Sequence, residues 1–227
     1  MVRTRVTFDI TVMVNVTRAE IGWAVRPDDV ATFERCISVG GVALFPADTV
    51  YGLATEPESR EGVDRLYRLK GRRADKPSAV MFFRLELALG ALPELPGRTR
   101  GALERLLPGP LTLLLPNPAR RYPLACGPAP GVLGLRVPHL EGALAPLAGM
   151  SWPVLQSSAN RSGEGEARSL AEVDERVRAG VDLVLDGGEL PGLPSTVVDL
   201  TRYHDDGSHR VLREGAAAAD AVAAALR

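Results

Sequence analysis

Residues 63–76 read VDRLYRLKGRRADK, and a helix, its stop and the approach to a strand follow one another within them. Val63, Leu66, Tyr67 and Lys70 recur at i, i+3, i+4 and i+7, the spacing of one helical face. Gly71 closes that helix, because glycine takes the left-handed cap conformation without steric cost. Beyond it, Arg72, Arg73 and Lys76 lie on a short loop before Pro77 and the apolar run AVMFF, which reads as a strand from Ala79 to Phe83. Six of the twelve residues from Arg65 to Lys76 are basic, against one acid, Asp75. Cations at the mouth of a strand suit a polyanion such as a triphosphate. The same charges also suit a solvated helix face whose basic last turn complements the macrodipole. The stretch alone leaves both readings open.

The charge is local. The whole chain carries 27 Lys and Arg against 28 Asp and Glu, which argues against broad electrostatic binding to nucleic acid. With 227 residues, 45% of them hydrophobic, the chain can bury the core of one large α/β domain. Cys36 and Cys126 match no metal or CxxC spacing and fit a reducing, cytoplasmic setting. His139, His204 and His209 are scattered and supply neither a zinc site nor an evident general base. No apolar run approaches the ~18 residues of a membrane span, and no signal-peptide block is evident at the start.

Upstream, residues 6–16 (VTFDITVMVNV) alternate over eleven positions and predict a strand with one buried side. A helix is predicted from Asp28 to Val39, with Val30, Phe33 and Ile37 inward, Asp28 or Asp29 as cap, and Gly40-Gly41 as its end. VALFPADTVYGLAT is β-rich but broken by Pro46, which cannot donate to a ladder, so Asp48-Thr49 makes a candidate pocket lip.

Downstream, two helices are predicted between Leu85 and Leu107, separated by Pro93 and Pro96. A short, fully buried strand follows at Leu111 to Leu115, then a proline-rich loop from Pro116 to Pro130. The next strand, GVLGLRVP, carries Arg136 between Leu135 and Val137. A charge there is costly unless it is paired or faces a ligand. A helix around Leu140 to Ala148 precedes PVLQSSANRSGEGEA, where a strand runs into small polar residues that let backbone amides approach an anion. No GxSxG elbow is present, so no serine nucleophile is assigned. Ser169 and Glu172 predict a capping box for a helix to Ala179. VDLVLDGG, STVVDLT and HRVLREG read as strands and the Ala-rich tail from Ala216 to Leu226 as a closing helix. About eight strands and five or six helices make one α/β domain with a mixed sheet over 1–227: an extension strand within 1–20, a core over 25–215 and a helix over 216–227.

Four separated pieces together resemble one family: FPADTVYGLA (45–54), LYRLKGRRADKP (66–77), LPGPLTLLL with GLRVP, and QSSANRSGE followed by STVVDLT and VLREG. In this order they are similar to the YrdC-type domain of threonylcarbamoyl-adenylate synthases, in the short form without the extra C-terminal domain, over roughly 25–215. The K-x-R of Lys70 and Arg72 and the S-x-N of Ser158 and Asn160 carry the likeness together.

The resemblance implies a twisted mixed parallel/antiparallel sheet with helices packed around it and an open concave nucleotide-binding groove. It implies condensation of L-threonine, bicarbonate or CO2, and ATP to threonylcarbamoyl-AMP and pyrophosphate. The product would feed a separate transferase that modifies tRNA, with weak or no direct tRNA binding by this chain; a homodimer is compatible. Lys70 and Arg72 would be catalytic. Lys70, Arg72, Lys76, Ser158, Asn160 and Arg213 would bind ATP, and Thr49, Arg136 and Ser195 would surround threonine. Mg2+ would ride on the triphosphate without a dedicated protein site.

Ala47, Gln156 and Met81 depart from the pattern where Thr, Ser or Thr, and in some longer relatives a nearby His are usual, and they bear on amino-acid choice. Two alternatives stand beside this reading: a carbamoyl-adenylate former using another amine, and an RNA-binding module using the 65–76 patch, which predicts salt-sensitive affinity and no ATP turnover.

Overall fold

A computed structural model describes residues 25–227 apart from 74, 162 and 164, so the strand expected at 6–16 lies outside the described residues. In chain order the strands are β1 (Ala43–Pro46), β2 (Tyr51–Thr55), β3 (Ala79–Met81), β4 (Leu111–Pro116), β5 (Val132–Arg136), β6 (Val154–Ser158), β7 (Leu183–Val184), β8 (Thr196–Asp199) and β9 (Arg210–Arg213). Among the described residues all nine join one sheet in the order β7-β1-β2-β6-β3-β5-β4-β8-β9. The pairs β1–β7, β3–β5 and β4–β8 are parallel and the others antiparallel, so the sheet is mixed as expected.

The α-helices are α1 (Pro27–Ser38), α2 (Arg60–Lys70), α3 (Leu85–Ala91), α4 (Gly97–Leu106), α5 (Pro123–Cys126), α6 (Glu175–Ala179), α7 (Tyr203–Asp206) and α8 (Ala219–Leu226). Successive strand residues face opposite sides, which separates two buried clusters. Leu53, Val80, Leu113 and Leu135 join Leu66 of α2, Leu103 of α4 and Val222 of α8 on one side. Phe45, Met81 and Val154 join Phe33 and Ile37 of α1 on the other, where the Phe33 ring lies 5.2 Å from Phe45 and 5.9 Å from Phe83. The α1 layer stops short of β4, β5 and β8. There the same sheet face carries Thr112, Leu114, Gly134 and Val197, all of which line a cavity.

Several local expectations need correction. β4 is not buried on both sides: its exposure alternates, because Thr112 and Leu114 face the cavity, which an unbroken apolar run conceals. The cap of α1 is Arg26, whose N–H donates to the Asp29 carboxylate at 2.9 Å, so the acid sits three residues inside the helix. Ser169 makes no side-chain cap. The segment it opens is a single 3-10 turn (Leu170–Glu172), and α6 is capped separately by Asp174, which accepts from the Arg176 N–H at 2.7 Å. The helix expected around Leu140–Ala148 is a 3-10 helix, Gly142–Gly149, with Pro146 inside it removing a backbone donor. β3 ends at Met81, two residues early, and α5 interrupts the proline-rich loop.

Candidate active site

The cavity has a volume of about 490 Å³ and lies over β3, β4, β5, β6 and β8, with Arg213 of β9 at its border. That is within the usual ligand-pocket range of roughly 300–1,000 Å³. Its floor is one sheet row: Gln156, Ala79, Gly134 and Leu114 are successive cross-strand partners. The two smallest, Ala79 and Gly134, sit at its middle and leave the space that larger side chains would fill.

The basic stretch of α2 and its loop divides according to what each charge meets. Arg65 pairs with Asp182 at 2.6 Å, and Arg73 pairs with Asp75 at 2.6 Å on the exposed surface. Lys76 is exposed and is not among the residues lining the cavity; its carbonyl oxygen accepts from the Tyr67 hydroxyl at 3.1 Å. Only Arg72 lines the cavity. Gly71 supplies the left-handed turn (φ 58°, ψ 30°) that brings it round, and the guanidinium donates to the Pro77 carbonyl at 2.6 Å and lies 5.9 Å from the centre of the Tyr67 ring. Its Nε is buried without a hydrogen-bond partner among the described residues. The solvated-face reading therefore holds for Arg73 and Lys76, and the inward reading for Lys70 and Arg72.

Lys70 is 2% exposed at the end of α2. Its ammonium donates to the carbonyl oxygens of Ser158 and Asn160, the latter at 2.6 Å, and to Asn160 Oδ1 at 3.3 Å. Ser158 Oγ donates to the same Oδ1 at 2.5 Å. Lys70 of the K-x-R tripeptide and the S-x-N tripeptide are thus one hydrogen-bonded unit at the carboxyl end of β6, while Arg72 bonds elsewhere. Burial, with Arg72 adding repulsion and Glu166 partly offsetting it, lowers the Lys70 ammonium from 10.5 to about 8.

Arg136, 3% exposed, is paired and also lines the cavity. Its Nη2 donates to Asp48 Oδ1 at 2.7 Å and Thr49 Oγ1 at 3.2 Å, and Nη1 donates to Gln156 Oε1 at 3.3 Å. Its Nε has no partner among the described residues although the residue lines the cavity. Burial pushes the Arg136 guanidinium down and the Asp48 carboxyl up; each holds the other charged. The β1–β2 turn supplies Asp48 and Thr49, yet of that turn only Val50 lines the cavity among the described residues, so the expected lip of Asp48 and Thr49 is instead a buried support for Arg136. Thr49, at 1% exposure, lies behind Arg136 rather than on the wall.

On the far side, Ser195 and Thr112 hydroxyls share a 2.8 Å hydrogen bond, and Arg213 Nη2 donates to the Ser195 carbonyl at 2.8 Å. Arg213 repels Arg136 across the cavity, an arrangement that an anion between them relieves. Sequence reasoning missed two wall residues. Glu166 lines the cavity with Oε2 buried and unpartnered among the described residues. Cys126 also lines it, its thiol pushed up by burial and so kept un-ionised. Neither carries a local signal: one is a Glu in GEGEA, the other a lone cysteine in a loop.

Comparison with known proteins gives a consistent picture. The family model Sua5_yciO_yrdC, described as "Telomere recombination", matches residues 35–215. Threonylcarbamoyl-AMP synthase of Pyrococcus abyssi is 32% identical over 195 residues, which is 86% of this chain and 56% of that protein. The crystal structure of P. abyssi Sua5 complexed with L-threonine is similar at a TM-score of 0.74 and 28% identity, covering 88% of this chain and 58% of that one. E. coli YciO gives a TM-score of 0.72 at 25% identity, covering 87% and 94%. The chain thus spans little more than half the length of the archaeal relative and nearly all of E. coli YciO.

Proposed function

The chain belongs to the Sua5/YciO/YrdC family, and from that premise we propose that it condenses L-threonine, CO2 or bicarbonate, and ATP to threonylcarbamoyl-AMP, releasing pyrophosphate. The observation that carries this reading is the convergence of Lys70 with Ser158 and Asn160 beside a cavity lined by Arg72, Arg136 and Arg213. Three guanidinium groups around one cavity match a triphosphate and an amino-acid carboxylate.

Attack of a carbamate oxygen on the α-phosphate needs no covalent enzyme intermediate. It needs the two reactants held in line and the charge on the departing pyrophosphate neutralised. Arg72 and Arg213 serve the phosphates directly. Lys70 serves them by fixing the Ser158–Asn160 turn and by its charge one layer back. Arg136 receives the threonine carboxylate on its unpartnered Nε, with Thr49 and Asp48 holding the guanidinium in place. Ser195 stands across the cavity near Arg213. Lys76 contributes only if the loop moves it inward.

The reading includes Mg2+. It would be carried by phosphate oxygens and water rather than by a dedicated set of protein carboxylates. When bound there it neutralises charge building on the pyrophosphate. The product would pass to a separate tRNA-modifying transferase in the cytoplasm.

The test incubates the protein with ATP, Mg2+, labelled bicarbonate and L-threonine and resolves nucleotides by mass spectrometry. An AMP adduct carrying both label and threonine, absent when either is omitted, is expected. Absence of any such adduct sinks the proposal. One observation favours a second amine instead: Gln156, at a position where Ser or Thr is usual in the pattern, is buried and hydrogen-bonded to Arg136. An adduct formed only with another amine would select that reading.

A further inference from the structure

We infer that Glu166 is the group that selects the substrate's α-ammonium, and so sets the specificity of the amino-acid site. The inference rests on the threonine reading above. It starts from two unpartnered atoms in one cavity. Among the described residues, Arg136 Nε is a buried donor with no acceptor and Glu166 Oε2 is a buried acceptor with no donor. Both residues line the same cavity. Buried polar atoms are nearly always hydrogen-bonded, and those left open in a native fold call for a ligand or a water. These two do not satisfy each other, although the charge of Glu166 is felt at both Arg136 and Lys70. An unpartnered donor and an unpartnered acceptor on two residues of the same cavity are the complement of a zwitterion: carboxylate to the guanidinium, ammonium to the carboxylate.

The other acids nearby are committed. Asp48 is paired with Arg136 at 2.7 Å and also accepts from the His139 N–H at 3.1 Å. Among the described residues Glu166 is the only carboxylate on the cavity wall. A site of cations alone would bind the triphosphate and any carboxylic acid equally well. Glu166 adds the distinction between an amino acid and a hydroxy acid.

The experiment measures binding of L-threonine and of 2,3-dihydroxybutyrate, which replaces the ammonium with a hydroxyl, by calorimetry on wild type and Glu166→Gln, with Mg2+–ATP binding alongside. Wild type is expected to prefer threonine. Glu166→Gln should weaken threonine about tenfold or more, a loss of ~1.4 kcal/mol or greater, while the hydroxy acid and Mg2+–ATP stay within about twofold. An equal loss for both acids marks a structural role and overturns the inference, as does unchanged threonine binding. A loss confined to Mg2+–ATP overturns it too, by moving the carboxylate to the nucleotide's cation. Adduct formation by wild type is assayed in parallel. Selective threonine binding without any adduct would sink the synthase reading and leave Glu166 in place. An adduct with no effect of Glu166→Gln on threonine would do the reverse.

Discussion

The ammonium of Lys70 lies 2.6 Å from the carbonyl oxygen of Asn160, 90 positions further along the chain. A helix end and a strand end are joined there by a cation that could instead have faced solvent. This makes Lys70 and Arg72, two residues apart in sequence, different in kind: one holds the turn, the other lines the cavity.

The two should separate on mutation. Arg72→Ala is expected to lower kcat/KM by about 10²–10³, or ~2–4 kcal/mol of transition-state stabilisation, and stability by no more than about 1 kcal/mol, for the lost hydrogen bond to Pro77. Lys70→Ala should lose similar activity and also destabilise by about 1–3 kcal/mol, since buried carbonyls lose their donor. Urea denaturation beside steady-state kinetics checks both. Activity within about threefold of wild type in either variant would remove that residue from the phosphate site.

On the proposed reading, the lowered Lys70 should give activity an alkaline limb. Below about pH 8 the ammonium is charged; above it the proton leaves, and the positive charge beside the phosphates goes with it, so kcat/KM should fall. Lys70→Arg should move that limb to higher pH. Stability runs the other way. Between about 8 and 10.5 the unfolded chain holds this proton and the folded one does not, so the group's contribution to stability rises with pH across that window. Comparing urea midpoints of wild type and Lys70→Met at pH 7 and 9.5 reads the sign; a gap that moves against wild type as pH rises would contradict it.

Asp48→Ala leaves Arg136 buried and uncompensated and should cost about 3–5 kcal/mol. Asp48→Ala with Arg136→Met removes both charges and should recover a good part of that stability while activity stays lost. If the double variant is as unstable as the sum of the single ones, the pair is not coupled.

Gly215 follows β9 at a point where an added Cβ would lie 2.1 Å from the Pro194 carbonyl oxygen, which is backbone and cannot swing aside. Gly215→Ala should destabilise by about 1–3 kcal/mol. By shifting Arg213, two residues away, it should also raise KM for ATP about tenfold, or ~1.4 kcal/mol. A variant with unchanged KM would mean that Arg213 does not reach the nucleotide.

Much of this was legible in the residues. The helix from Val63 to Lys70 and its stop at Gly71 follow from period and cap chemistry, which act over a few residues. Arg136 stood out because a charge in an apolar strand has few physical excuses, and Pro46 marked the turn that brings Asp48 to it. What stayed hidden depends on contacts made across the chain. LTLLL does not show which of its leucines faces a cavity, because both a helix layer and a ligand pocket tolerate Leu114. The six basic residues from Arg65 to Lys76 look alike until Asp182 and Asp75 claim two of them. Ser169 and Glu172 have the spacing of a capping box, but the Glu172 carboxylate accepts from the Arg168 N–H at 2.8 Å while Asp174 caps the helix.

The strand order bears on how the protein reaches this state. β1 forms a local hairpin with β2, yet its other neighbour, β7, comes far later, and the Val42 N–H is satisfied by Asp182, 140 positions on. Sheets dominated by such distant pairings fold slowly, since the chain entropy of each closure precedes its reward. The cavity inherits that timing. A chain that has not yet seated β8 and β9 owns Lys70 and Arg136 but lacks Ser195, Val197 and Arg213 opposite them. A complete cavity therefore requires the β4–β8 pairing of Leu111 with Thr196, and ligand affinity measured during refolding should not precede that closure.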